Sequence, residues 1–186
     1  MNRRHKKPKR RAYIPRVWMM TDPRLGDNLA QAVQRMPLRS GVIFRHYDLP
    51  PDERRALFAQ VARVCRRRGH LLLLAGTQRD ARHWHAGGAH GKGRRRGNSL
   101  LSAPVHNLRE IIQARRSRAD IMLISPIFTT RSHPGQRPLG LMQFRRLAAQ
   151  CGTAKRIALG GMTRQRAAMF RRTQIEGWAA IDAFAR

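Results

Sequence analysis

The stretch Asp120-Ile121-Met122-Leu123-Ile124-Ser125-Pro126 decides the fold: four apolar residues, enough for a short buried strand, stand between an Asp and a Ser-Pro stop. Upstream, Asn107 caps an amphipathic helix running toward Arg116, and downstream Leu139 to Gln150 reads as another. A short apolar strand between two helices is the repeating unit of a parallel sheet covered on both faces. Working outward, the same kind of run recurs at Val17–Met20, Val42–Phe44, Leu71–Leu74, Leu100–Ala103, Ile157–Leu159 and Trp178–Ile181, with a weaker one at Ala89. The helix opened by Pro51-Asp52-Glu53 closes on Arg66-Arg67-Arg68-Gly69, with acids at its positive end and cations at its negative end. Phe58, Val61, Ala62 and Cys65 form its expected apolar stripe, and a further helix is expected over Thr163–Arg172. Gly91 to Ser99 is too polar and glycine-rich for a helix, so one crossover is expected to be a loop.

Eight such strands are the number that closes an α/β TIM (β/α)8 barrel. The alternative, an open doubly wound sheet, lacks its glycine fingerprint, because Thr21-Asp22-Pro23-Arg24-Leu25-Gly26 follows the first strand. A chain of 186 residues, 41% hydrophobic, fits one domain over residues 14–186 behind a basic, disordered tail over 1–13. No apolar run approaches the roughly 20 residues of a spanning helix, and Met1 to Arg11 has no apolar region after it that would make it a secretory signal. Cys65 and Cys151 lack a CxxC spacing and read as free thiols, so a cytoplasmic location is expected.

Lys and Arg number 39 against 10 Asp and Glu, for a formal charge of +29. The cations are almost all arginines scattered along helical faces, and no helix-turn-helix, zinc or aromatic RNA-binding pattern accompanies them. Specific nucleic-acid recognition and membrane insertion are therefore not expected, whereas phosphorylated small molecules are the expected partners; homo-oligomerisation is left open.

In a barrel the chemistry gathers beyond the C-terminal ends of the strands. Arg45 ends the second strand, where a guanidinium suits forked contact with phosphate; the alternative is an internal ion pair with Asp22 or Asp48. Gly160-Gly161 follows the seventh strand and bares backbone N–H groups beside a helix start near Thr163. Thr130 and Ser132 offer hydroxyls in a Pro-Gly loop, and His106 is a candidate acid or base near neutral pH. His83, His85 and His90 cluster in sequence around Trp84, but no Cys or carboxylate completes a zinc set.

The order of these motifs resembles the thiamine phosphate synthase family, including its thiazole tautomerase (TenI) branch. Ala119 to His133 resembles the family's GADYxxxGPxFxTxTK segment, and Ile157 to Met162 its xAIGGI. Met20-Thr21-Asp22, Phe44-Arg45, Gly88-Ala89-His90, Ala103 to Asn107 and Gly177 to Phe184 resemble, in order, its TD, LR, GVH, SxH and closing strand motifs. The resemblance implies a transferase of thiamine biosynthesis that joins a hydroxymethylpyrimidine diphosphate to a thiazole phosphate and releases pyrophosphate. It implies phosphate or substrate contacts from Arg45, Thr130, Ser132, Gly161 and Ile181, with His133 at the family's loop lysine. It implies Mg2+ as well, yet Ala75-Gly76 and Lys92 to Gly97 stand where the family carries its magnesium carboxylates. The alternative is a TenI-like thiazole phosphate isomerase, with His106 matching one of its histidines, or a non-catalytic phosphate-ligand binder. Lys92, Arg94 and Arg131 are cations available to replace the metal's charge.

Overall fold

A computed structural model describes residues 13–130, 135, 137–170 and 175–184. Eight parallel strands close into a barrel in chain order, each paired with its neighbours in sequence and the eighth with the first. They are β1 Val17–Met20, β2 Gly41–Phe44, β3 Leu71–Ala75, β4 Gly88–His90, β5 Leu100–Val105, β6 Ile121–Ile124, β7 Lys155–Ala158 and β8 Gly177–Ala180. The fold is therefore the α/β TIM barrel. The basic tail lies, except for Tyr13, outside the described residues, among which no helix is long and apolar enough to cross a membrane.

The helices are α1 Leu29–Arg35, α2 Pro51–Arg68, α3 Gln78–His83, α4 Leu108–Arg116, α5 Gly140–Ala149 and α6 Arg164–Ala168. Pro51 occupies the first turn of α2, and Gly69 closes it at φ +66°, a left-handed cap that glycine takes without steric penalty. Phe58, Val61, Val64 and Cys65 are its buried residues, so Val64 takes the place expected of the half-buried Ala62. The helix expected to reach Arg172 ends at Ala168, and residues 171 and 172 lie outside the described residues. No helix joins β4 to β5, as the composition of 91–99 requires.

Side chains alternate across each strand, and the alternation builds two apolar layers. Met19, Val42, Phe44, Leu72, Leu74, Leu101, Met122 and Ile124 face outward into the sheet–helix layer. Trp18, Met20, Ile43, Leu73, Ala75, Leu100, Ile121, Leu123, Ile157 and Ala179 fill the interior. At the N-terminal end Trp18 is wholly buried, its indole N–H donating to the Pro15 carbonyl at 2.7 Å. A Cβ on Gly41 would fall 2.1 Å from that ring, so the floor is closed by one large side chain against a residue that has none. Cys65 and Cys151 are buried free thiols, pushed up by burial to about 12 and about 11.

Candidate active site

Arg45 follows β2 with the same parity as the inward Ile43, which aims its side chain into the C-terminal mouth. Its backbone is fixed on both sides. The Thr21 hydroxyl oxygen accepts its N–H at 2.9 Å, and Arg54 Nε donates to its carbonyl at 3.0 Å. Arg54 Nη2 also donates to the Ala75 carbonyl at 2.8 Å, so one guanidinium from α2 ties the ends of β2 and β3 together. That guanidinium lies 5.3 to 5.9 Å from the ring centres of Trp84, Tyr47 and Phe44, within cation–π range. His46, at φ +46°, stacks on Phe44 and shares a 3.0 Å hydrogen bond between its Nδ1 and the Thr21 hydroxyl. Burial, above all, lowers its pKa and keeps the ring neutral.

Asp22 is spanned by Arg24, with Nε–Oδ1 at 2.7 Å and Nη2–Oδ2 at 3.3 Å, while Arg45 Nη2 stands 3.7 Å away. Arg24's hydrogen bond, against the opposing effect of burial, holds the Asp22 carboxyl below its usual range. Arg45, whose side chain is 26% exposed, thus has only a long contact with this acid, and its buried Nε has no partner among the described residues.

Across the mouth, Gly160 and Gly161 have φ of +96° and +60°. A Cβ on Gly160 would meet Pro126 Cα at 2.6 Å, and one on Gly161 the Thr129 carbonyl at 2.5 Å, so only glycine fits both the conformation and the space. The β7–α6 turn therefore packs directly against the β6–α5 loop that carries the half-buried Thr130. Among the described residues neither glycine N–H bonds a backbone carbonyl. The dipole expected behind them is small, because α6 has five residues. Ile181 follows β8, half-buried against the interior cluster. Ser132 and His133, with Arg131, lie outside the described residues.

His106 sits at the start of the β5–α4 connection, 43% exposed, with Nδ1 2.8 Å from Glu110 Oε2. The same carboxylate oxygen accepts the His106 backbone N–H at 2.6 Å. Glu110, a residue of the first turn of α4 to which the sequence reading gives no role, therefore holds this imidazole at the rim. His83 and His85 are exposed near the end of α3, whereas His90 is buried inside the barrel on Ser102, Nδ1 to Oγ at 3.0 Å. The three histidines form no common site, and among the described residues no three His, Cys, Asp or Glu side chains converge as metal ligands. With Asp22 already spanned by Arg24, the donors at the mouth do not fit the magnesium that the family resemblance implies.

Two hollows lie elsewhere. One of about 410 Å³, lined by Phe58, Ala62, Arg63 and Trp84, opens on the flank where the six-residue α3 leaves α2 uncovered. Another of about 840 Å³, lined by Arg95, Arg115, Arg118 and Lys155, opens at the N-terminal end, beside the helix-free 91–99 loop. Neither includes Arg45, Thr130 or Gly161.

A family model described as thiamine monophosphate synthase matches residues 17–184, which is the whole barrel from β1 past β8. The chain belongs to the thiamine monophosphate synthase family. A protein of Aquifex aeolicus, provisionally named thiamine-phosphate synthase 2, is 27% identical over 184 residues, covering 92% of this chain and 98% of its own length. A thiamine-phosphate synthase of Chloroflexus aurantiacus is 36% identical over 88 residues, 47% of this chain and 40% of its own. Among solved structures, a thiamine phosphate pyrophosphorylase from Pyrococcus furiosus superposes with a TM-score of 0.77 at 20% identity, covering 92% of this chain and 88% of its own. One from Bacteroides thetaiotaomicron gives 0.61 at 14% identity, over 90% and 83%. These two structural likenesses speak for the barrel fold shared across the thiamine monophosphate synthase family.

Proposed function

We propose that the chain is a thiamine phosphate synthase-type transferase, joining a hydroxymethylpyrimidine diphosphate to a thiazole phosphate. In that reaction the bond between the pyrimidine methylene carbon and its diphosphate oxygen breaks, the electron pair leaves with pyrophosphate, and the thiazole nitrogen bonds to the methylene carbon. The observation that carries the reading is Arg45: in a chain of this family, an inward guanidinium with its backbone fixed by Thr21 and Arg54 faces the mouth with a buried, unpaired Nε. Arg45 and the glycine N–H pair bind phosphate groups and stabilise the leaving pyrophosphate, since cations and aligned amides favour charge that develops in a partly dry site. Thr130, Ser132, His133 and Ile181 complete the substrate contacts, and His106 is the candidate proton-handling group at the rim. No step is assigned to a metal.

The missing carboxylate set favours one second reading, a metal-free thiazole phosphate isomerase or phosphate-ligand binder. Rescue of a thiamine-requiring strain that lacks its own synthase tests the first reading, with Arg45→Ala and Thr130→Ala expected to abolish rescue. Thermal shifts separate the two: a synthase is stabilised by both precursors, the second reading by thiazole phosphate alone. Rescue unaffected by either substitution rejects the site.

A further inference from the structure

The hollow of about 840 Å³ at the end opposite the mouth is built from the connections that lead into β5, β6 and β7 rather than from inward strand residues. Each connection brings cations to it: Arg95 from the helix-free loop, Arg115 and Arg118 from the end of α4, and Lys155 from the start of β7. The loop is pinned there, because the Arg95 N–H donates to the Ser117 carbonyl at 2.9 Å. Arg115 lies across the neighbouring turn, where a Cβ on Gly152 would fall 3.5 Å from its Nε.

Few acids answer these cations. Asp120 is the one acid in the lining among the described residues, and one of its oxygens accepts both the Leu101 N–H at 3.0 Å and Arg95 Nε at 3.1 Å. Lys155 stands 3.5 Å from Glu176, a carboxylate already held by Arg156 at 2.7 and 3.1 Å. Among the described residues Arg115 and Arg118 make no ion pair, and Arg115 Nη1 donates to a neutral group, the Gln150 carbonyl, at 3.4 Å. Cations at a helix C-terminus are ordinary, since they answer its dipole, but Arg95 and Lys155 reach the same concavity from other connections. Arg118 also closes α4 at φ +58°, with the Ala119 N–H on the Ala114 carbonyl at 3.0 Å. That left-handed position suits glycine and costs an arginine conformational energy, so the chain keeps a guanidinium here against its backbone preference.

We infer that this hollow binds a phosphorylated small molecule of nucleotide size, its phosphates on Arg115, Arg118 and Lys155 and its uncharged part against Ile14, Leu100 and Met122. Guanidinium forks match phosphate oxygens, and the volume is that of a small-molecule site, well beyond what a lone phosphate fills. The site is separate from the mouth and independent of the transferase reading.

The test is calorimetry on the full chain at physiological salt, with ATP and inorganic phosphate as probes. ATP is expected to bind the parent more tightly than phosphate does, and to keep its affinity within about twofold in Arg45→Ala. Arg118→Gly and Arg115→Gln should each weaken ATP about tenfold, the loss of one charge-assisted contact. Arg118→Gly should melt no lower than the parent, because glycine suits that φ, so its lost binding is not lost folding. Arg63→Gln removes an exposed charge from α2 and should bind ATP as the parent does. An equal loss in Arg63→Gln means diffuse attraction to a chain of charge +29 and overturns the inference. ATP affinity that falls in Arg45→Ala but survives in Arg118→Gly assigns the binding to the mouth and overturns it too. So does a parent that binds a single-stranded oligonucleotide but not ATP, which would make this face a nucleic-acid contact. The reading of the mouth stands or falls separately, on pyrophosphate binding and on rescue of the thiamine-requiring strain.

Discussion

At the floor of the barrel a wholly buried Trp18 lies against the bare Cα of Gly41 and belongs to the apolar cluster that fills the interior. At the mouth the inward positions pass to Asp22, Arg45, His90 and Ser102, joined in part by hydrogen bonds and ion pairs. The same strands supply both ends, so the difference comes from position along the strand: first residues carry stability, last residues carry chemistry. Polar groups are tolerated at the open end because ligand or water can complete them, whereas an unpaired polar group at the sealed end would keep its full desolvation cost.

Trp18→Ala should produce the largest effect. It removes the floor at a cost of about 3–5 kcal/mol, read as a lower midpoint in denaturant, while the folded fraction keeps its pyrophosphate affinity. Loss of that affinity without loss of stability would erase the division between the ends. Arg54→Ala comes next, because it strips donors from the carbonyls of Arg45 and Ala75 and should cost about 1–3 kcal/mol. Unlike Trp18→Ala, it should weaken pyrophosphate binding as well, since Arg45 loses its backbone anchor. Arg45→Ala should leave the melting temperature nearly unchanged and lower pyrophosphate affinity roughly tenfold, in line with loss of one charge-assisted hydrogen bond.

The smallest effect concerns acid. Each end holds one carboxylate below its usual range: Asp22 at the mouth through its hydrogen bond to Arg24, and Glu176, where burial pushes upward but the bonds to Arg156 prevail. Groups with depressed folded pKa values add stability above their unfolded values, about 3.9 and 4.3, and lose it as pH falls through the folded ones. Melting curves between pH 5 and 3 should therefore fall less steeply for Asp22→Asn and Glu176→Gln than for the parent. A parent-like slope in either variant would mean that its ion pair contributes nothing to folding.

The strands are legible because most are apolar runs bounded by Gly, Pro, Asp or Ser, and β4 is faint because Gly88-Ala89-His90 has too few apolar atoms to announce itself. Helix α3 was hidden in Gln78–His83, since its signal is the capping box of Thr77 and Asp80 rather than an apolar stripe. Arg45, Thr130 and the glycine pair could be placed at the mouth from strand ends alone. His90 falls at the end of the faint fourth strand in the sequence, whereas its direction into the barrel is set by register with Ala75 and Ser102, a fact about neighbouring strands that no local window contains. Glu110 escaped for the same reason in reverse: its partner is one helical turn away, but only the cap at Asn107 turns its carboxylate back toward His106.

The indole under the barrel also leaves the interior, packed as it is with side chains, a single open end, so a molecule that docks between Arg45 and Gly161 arrives and departs through the mouth alone.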